Sequence, residues 1–498
     1  MHLRAAGLLL IALAPPAVAR EFTVMVYNVE NFFDADSVSV YPEFQSAVYT
    51  PAHLLTKVRN IAEVVRRVGD GRGPDILLLN EVELDQTPDS RVDDYPAFLQ
   101  REAGTTLEQM LAAPPPPGLA GLPAEAWLAK ALYDRGLTGY TVVDGSDAPG
   151  NHEDRHPRSI KNVVFTRFPV KAVRNHPIVN ARNILELQLD IDGHPLFVFA
   201  NHWKSGAGDP ELEKTRVLDA RVLRHRLEEI LAADPQADIV IGGDFNSQHN
   251  QRLRYRAMAE TGINDVLGSQ GNELAIRSRD RALYNLWYEL PAGERGSDVY
   301  HGEWGTLMQI IISRGLYDFR GAQYVDNSFA VARFSGLNTD AFGQPRRWSS
   351  AGPAGEGFSD HFPVCARFRT TEDNRPDRWL ALLHPSDRDE TEANVIKVDY
   401  AAAAEKVAIV AAALPPGVDL RDGNHTGKIF LVEGVVRSTG PMAVELRGQS
   451  YEIYTPVREL REELSQRYKP GDAIRFYGEL GRYKGRWQFV ISTPAWMK

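Results

Sequence analysis

Three things are scarce in this sequence, and each scarcity removes a class of protein. A single cysteine, Cys365, rules out an internal disulfide and leaves no cysteine-rich metal site or redox pair. It sits in the apolar alternation from Pro363 to Phe368 and reads as a core strand residue. No apolar run is long enough to cross a bilayer, which takes about 20 residues; the run from Ala5 to Ala14 ends at Pro15-Pro16. Positive charge is also lacking overall: the formal net charge is −10, so the whole molecule is not a polyanion binder working by bulk attraction. Without disulfides, stability must come from core packing, which 498 residues are enough to provide.

What is present begins with an address. His2 and Arg4 precede the short apolar run, and Ala17-Val18-Ala19 supplies a small-x-small cleavage site. This pattern predicts a signal peptide over residues 1–19, a secreted or periplasmic protein, and structure beginning at Phe22. Apolar residues at 43% and charged residues at 24% are the balance of a soluble globular chain, and the length predicts two or three domains. Charge is uneven along it. Thr426 to Lys498 holds twelve lysines and arginines against eight acidic residues, which makes the tail the basic end of an acidic protein.

The patterning is mixed α/β, with no internal repeat. Phe22 to Asn28 alternates as a strand; Leu54, Val58, Ile61, Val65 and Val68 recur at helical spacing; Asp75 to Leu79 is a continuous apolar run ending in Asn80-Glu81. Leu185 to Ile191 and Leu196 to Ala200 flank a turn at Asp192-Gly193, and the second ends in Asn201-His202. A helix over Glu211 to Leu231 precedes Ile239 to Ile241, which runs into Gly242-Gly243-Asp244-Phe245-Asn246. Met308 to Ile312 and Pro363 to Phe368 complete the strands. Polar residues gather where apolar strands end, the place where α/β folds build sites. The stretches Pro114 to Pro117 and Ala351 to Gly357 read as surface loops.

Hydrolysis of a phosphodiester needs a metal held by hard oxygen ligands, a positioned water and donors to the phosphoryl oxygens. Asn28, Glu81, His202, Asp244, Asn246, Asp360 and His361 all fall at or beside strand ends and offer that chemistry. Singly, each has an ordinary structural reading as a turn former, a solvated charge or a core histidine. Together, Tyr27-Asn28-Val29-Glu30-Asn31, Leu79-Asn80-Glu81-Val82, Asn201-His202-Trp203-Lys204-Ser205, Gly242-Gly243-Asp244-Phe245-Asn246-Ser247 and Ser359-Asp360-His361-Phe362-Pro363 resemble, in order, the five motifs of the endonuclease/exonuclease/phosphatase superfamily. The resemblance covers about Phe22 to Arg369.

It implies a four-layer αββα sandwich with its site at the rim between two sheets, and Mg2+ or Mn2+ as cofactor. By position, Glu81 is the principal metal ligand, with Asn28 and Asp360 beside it. Asp244, supported by Asn246, aligns or deprotonates the attacking water, while His202 and His361 contact the scissile phosphate. Arg158 and Lys161, ahead of the run Asn162 to Phe165, are candidates for substrate binding. Two departures stand out. Asn80 occupies a place where relatives usually have Gln, and Met308 a place where they commonly have the Asp that orients the histidine of the Ser-Asp-His motif. Loss of that Asp predicts a slower enzyme rather than a dead one.

From Ile429 onward short strands take over: Ile429 to Val436, Ala443 to Leu446, Tyr451 to Tyr454, Ala473 to Leu480 and Trp487 to Ile491. A helical stretch, Val457 to Tyr468, separates the third from the fourth. This order resembles the OB-fold, a small barrel that commonly binds oligonucleotides. Tyr451, Tyr454, Phe476, Tyr483, Trp487 and Phe489 intermix with Arg447, Arg475, Arg482, Lys484 and Arg486. Several of the aromatics read as barrel core, because half of each strand points inward; Tyr483 and Trp487 are the candidates for stacking bases.

The resulting domain reading is a signal peptide (1–19), a catalytic domain (20–370), a linker with an alanine-rich helix over Ala401 to Ala413 (371–424), and a nucleic-acid-binding barrel (425–498). The function expected is an exported, metal-dependent nuclease acting on DNA, RNA or both, without stable membrane insertion. Its alternatives are a phosphodiesterase or phosphatase of phospholipid head groups or inositol phosphates, and a nucleic-acid-binding protein with weakened catalysis.

Overall fold

The computed structural model describes the chain apart from residues 1–18, 88–90, 113–118, 120, 146–157, 179, 279–280, 372–374 and 484. The expected signal peptide, the Pro114 to Pro117 stretch and Lys484 therefore lie outside the described residues. The chain divides into two compact units, residues 1–338 with 345–396, and residues 339–344 with 397–498.

Strand alternation in the first unit sends side chains to two different cores. From the strand Glu21–Phe32, Val24 and Val26 enter one core while Met25, Tyr27 and Val29 enter another; Ile76 and Leu78 against Leu77 and Leu79 do the same from Ile76–Glu83. A strand buried on both faces must be apolar throughout, which accounts for the continuous runs in the sequence. These strands lie at the centre of a seven-stranded sheet, ordered Ala322–Tyr324, Val364–Thr370, Glu21–Phe32, Ile76–Glu83, Ile160–Thr166, Thr141–Asp144, with Ala330–Val331 paired to Val364–Thr370. The second seven-stranded sheet runs Val170–His176, Ile184–Ile191, His194–His202, Asp238–Asp244, Met308–Ser313, Leu283–Asn285, Ser269–Gln270.

The sheets meet face to face through Val26, Leu78, Leu187, Val198, Val240 and Ile310. The outer face of the first is covered by the helices Pro51–Arg66 and Ala124–Tyr133, that of the second by Pro210–Ala233. The result is the expected four-layer αββα sandwich. Thr50 starts the first helix in a capping box with His53, ahead of Pro51.

Two readings change. The segment 371–396 does not behave as a linker: Arg375–Trp379 pairs with Asp318–Phe319, Leu380 N donates to Tyr317 O at 2.7 Å, and Leu380 enters the inter-sheet core. The alanine-rich helix is shorter than its composition suggests, spanning Tyr400–Val407, after which Ile409 and Val410 pair with Phe430 and Leu431. Two adjacent β-branched residues next to an open strand favour pairing over another helical turn.

In the second unit the strands Ile429–Thr439, Met442–Leu446, Gln449–Tyr454, Arg486–Val490 and Ala473–Tyr483 close into a barrel, since the first also pairs with the last. The helix Arg458–Arg467 falls between the third and fourth strands in chain order. Val432, Tyr451, Phe476, Phe489 and Trp496 fill its core.

Candidate active site

Two pairs of parallel strands, one pair in each sheet, build the site with their ends. In the first sheet Asn28 lies opposite Asn80, so Asn28 and Glu81 emerge side by side. In the second, His202 lies opposite Asp244. Gly242 lets the two sheets approach here, and Gly243 lets its strand lie against the neighbouring one. A Cβ on Gly242 would stand 2.7 Å from Val26 Cγ2, and one on Gly243, whose φ is +149°, would overlap Asn201 O. Asn80 then stitches the sheets together, donating to Asn201 O at 2.9 Å and accepting from Asp244 N at 3.0 Å. The shorter amide in place of Gln thus has a defined structural use.

Asn28 joins the carboxylates. Its Nδ2 donates to Glu81 Oε1 and to Asp244 Oδ2, each at 2.9 Å. Its Oδ1 accepts from Glu30 N at 2.9 Å, which fixes the amide orientation, because a flipped amide would set two donors against each other. In this arrangement Asn28, expected from its position to be a metal ligand, presents its nitrogen to both carboxylates and ties them together. One ligand atom each of Glu81, His202 and Asp244 lies within 4.8 Å of the others. His202 Nε2 is 3.7 Å from both Glu81 Oε1 and Asp244 Oδ2.

The Ser-Asp-His segment closes the circle. Ser359 Oγ donates to Asn28 O at 2.7 Å and accepts from His361 N at 3.1 Å. This brings His361 Nε2 to 3.8 Å from Asp244 Oδ2 and 3.6 Å from Asp360 Oδ1. Asn246, left-handed at φ +46°, donates its amide to Trp203 O at 3.1 Å, while its N–H holds Asp244 Oδ1 at 2.9 Å. Glu30, Asn31 and Glu81 are also left-handed non-glycine residues, a concentration of unusual backbone that marks a functional site.

The two histidines differ in charge. Burial, with Arg182 and His361 nearby, pushes His202 well below its usual value, so it is neutral at pH 7. Burial also opposes charge on His361, but the facing carboxylates of Asp360, Asp244, Asp298 and Glu81 outweigh it and raise its pKa to about 9. A neutral and a charged imidazole across one small space suit an acceptor and a proton donor.

Asp298 answers only part of the question raised by Met308. Met308 is fully buried, with its side chain in the inter-sheet core. Asp298, on the strand Asp298–Tyr300, forms an isolated backbone bridge with His361 and is 6% exposed. Ser297 Oγ and Leu307 N hold its Oδ1 at 2.8 and 3.1 Å. Its charge helps hold His361 protonated, but His361 Nδ1 is buried without a hydrogen-bond partner, so the orienting contact that an acid at position 308 would give is not replaced.

The other candidates scatter. Lys161 is 5% exposed, its ammonium 2.8 Å from Glu125 and 3.5 Å from Asp144, an internal ion pair away from the carboxylate cluster. Arg158 is engaged by Asn183 Oδ1 and Ile178 O. Tyr483 is 61% exposed on the barrel, and Trp487 is half-buried, with Arg482 Cζ 5.8 Å from its ring centre.

Three functional neighbours escaped the sequence reading. Lys57 is fully buried and donates to Glu30 O and Phe358 O; burial lowers its pKa to about 8 against the pull of Glu30, Asp360 and Glu81. A signal existed, since Lys57 falls on the apolar helical stripe with Leu54 and Ile61. Arg347 reaches Glu30 at 3.1 Å and Asp360 at 3.5 Å from a distant loop, and Asp298 lies on an unremarkable hairpin; neither carries a local signal.

An αββα sandwich with carboxylates and two histidines converging at its strand ends offers the groups that phosphoester hydrolysis requires. Residues 159–370 match the model of the Endonuclease/Exonuclease/phosphatase family, in accord with the resemblance carried by the five motifs. Among solved structures, similarity extends to truncated Caenorhabditis elegans TDP2 (14% identity, TM-score 0.35, 70% of this chain and 97% of that one). It extends also to an endonuclease/exonuclease/phosphatase family protein of Bacteroides thetaiotaomicron (13%, 0.38, 71% and 99%). The human Nocturnin catalytic domain is a third (16%, 0.35, 70% and 95%). No curated protein matches.

The donor set fits a divalent cation. Glu81 and Asp244 offer hard oxygens and His202 a ring nitrogen within 4.8 Å of one another, while Asp360, whose pKa is raised by burial and by repulsion from Glu81 and Asp244, offers a further oxygen nearby.

Proposed function

We propose that this protein is an exported nuclease that hydrolyses phosphodiester bonds of DNA or RNA with Mg2+ or Mn2+. The observation that carries the catalytic part is the convergence of Glu81, Asp244 and His202 within 4.8 Å, bridged by Asn28 and faced by His361. Glu81 and Asp360 would hold the ion, which neutralises charge developing on the phosphoryl oxygens when bound. Asp244, held by Asn28 and by Asn246 N, orients the attacking water and accepts its proton. His361, kept charged by its ring of carboxylates, donates to the phosphate or the leaving oxygen, and neutral His202 hydrogen-bonds beside it.

Nucleic acid is favoured as substrate by the closed barrel, which resembles an OB-fold and exposes Tyr483 next to the Arg482–Trp487 pair and, elsewhere on its surface, Tyr454 beneath Arg461. Export rests on the N-terminal sequence pattern. Among the described residues no helix is long and apolar enough to cross a membrane.

The test uses the chain from Glu21 onward with plasmid, single-stranded DNA and RNA, in Mg2+, Mn2+ or EDTA, and Asp244→Ala as control. Cleavage that needs both metal and Asp244 supports the proposal. Inert nucleic acids alongside metal-dependent release of phosphate from inositol phosphates would replace it.

A further inference from the structure

A second acidic cluster, sharing no residue with the catalytic one, lies where the chain leaves the two strands that carry Asn28 and Glu81. Asp34 and Asp36 follow the strand Glu21–Phe32, and Glu83 and Asp85 mark the end of Ile76–Glu83. One oxygen each of Asp34, Asp36 and Asp85 lies within 4.8 Å of the others. Glu83 stands beside them, its Oε2 accepting from Asp34 N at 2.8 Å.

Asp34 is the telling residue. It is 4% exposed; its Oδ1 accepts from Asp36 N at 3.0 Å, and its Oδ2 is sealed from solvent with no hydrogen-bond partner. Burial and repulsion from Glu83, Asp36 and Asp85 all act to raise its pKa. Lys161 is the cation acting on Glu83, and its ammonium is already paired with Glu125 and Asp144. A buried carboxylate oxygen without a donor is expensive, and so is a set of like charges around it; a hard cation bound among them removes both penalties.

We propose that Asp34, Asp36 and Asp85, with Glu83 beside them, bind a calcium ion separate from the catalytic metal. Calcium suits an irregular, carboxylate-rich set on two loops better than magnesium, which demands near-octahedral geometry and retains its waters. The ion would pin the loop after the Asn28 strand to the end of the Glu81 strand, and so act on the catalytic centre only by holding its two supports together.

The test compares melting temperatures of the chain from Glu21 onward in EDTA and in millimolar Ca2+, for the wild type, Glu81→Gln, Asp34→Asn and Asp36→Asn. Trp127 lines a cavity of about 290 Å³ together with Asp34 and Asp36, so Tb3+ luminescence excited through tryptophan gives a binding readout independent of activity. Expected are a Ca2+-induced rise of several degrees in the wild type and Glu81→Gln, and none in Asp34→Asn or Asp36→Asn. Tb3+ emission should be displaced by Ca2+ and lost in the same two variants. In EDTA, Asp34→Asn should melt no lower than the wild type, because it removes a buried charge. If Asp34→Asn does not fold, Asp36→Asn, half-exposed, decides alone. A wild type indifferent to Ca2+, a response that survives in Asp36→Asn, or one abolished by Glu81→Gln would each overturn the proposal.

Discussion

Asn28 is where the halves of the site meet, since one nitrogen serves a carboxylate from each sheet. Replacing that donor by an acceptor sets a third carboxylate against Glu81 and Asp244. Asn28→Asp is therefore expected to lower kcat by about 10²-fold or more, the scale of losing one preorganised donor, while circular dichroism stays native. Met308→Asp should raise kcat by giving His361 Nδ1 an acceptor. Its side chain would also put a carboxylate into the inter-sheet core and lower stability by more than about 2 kcal/mol. Asp298→Asn should reduce kcat, measured on the same nucleic acid substrate. What was legible at this scale was local: Glu81, His202, Asp244, Asp360 and His361 each end an apolar run or sit in a dense motif. Arg347 and Asp298 were not, because loop closure over long separations brings them in, and nothing in their neighbours records it. Asn28 was legible as a site residue, whereas its hydrogen bonds to carboxylates of both sheets were not, because they depend on where Glu30 N lies.

Close approach decides the behaviour of elements. Gly243 permits the strand Asp238–Asp244 to lie against Asn201, and Gly243→Ala would force a Cβ onto that carbonyl from a backbone conformation unfavourable to alanine. A loss of about 2–4 kcal/mol in urea unfolding is expected, together with activity. On the far side of the same sheet, Glu186 takes two hydrogen bonds from Arg226, both 2.8 Å, and lies 2.6 Å from His176 Nε2. Burial would raise its pKa, but these partners outweigh it and hold it at about 2. A carboxyl depressed below its unfolded value adds stability above about pH 4.5, and that stability is lost as pH falls through about 2. Glu186→Gln should lower the melting temperature at neutral pH and flatten its decline below about pH 4.5. Strand positions were readable because burial on both faces demands apolar runs. The helix Tyr400–Val407 was overextended because alanine content says nothing of a strand waiting to pair with Ile409.

For the whole molecule, the division of labour between the units is testable by substrate length. Tyr454→Ala, Tyr483→Ala and Trp487→Ala together should leave kcat/KM on bis-(p-nitrophenyl) phosphate unchanged. On long single-stranded DNA they should raise KM at least about tenfold, since a stacked base contributes about 1–3 kcal/mol. An equal fall on both substrates would place those aromatics in folding rather than in binding.

The strand Glu21–Phe32 occupies the middle of its sheet, with Glu21 opposite Arg369 and Val24 opposite Ile76. The earliest strand of the unit is thus completed by one of the last. A ribosome must release more than three hundred residues before the central strand acquires its second neighbour, so this domain cannot mature piecemeal during synthesis. Until that late strand arrives, one edge of the central strand stays open to other partners, a liability that grows with the length of chain still to be made.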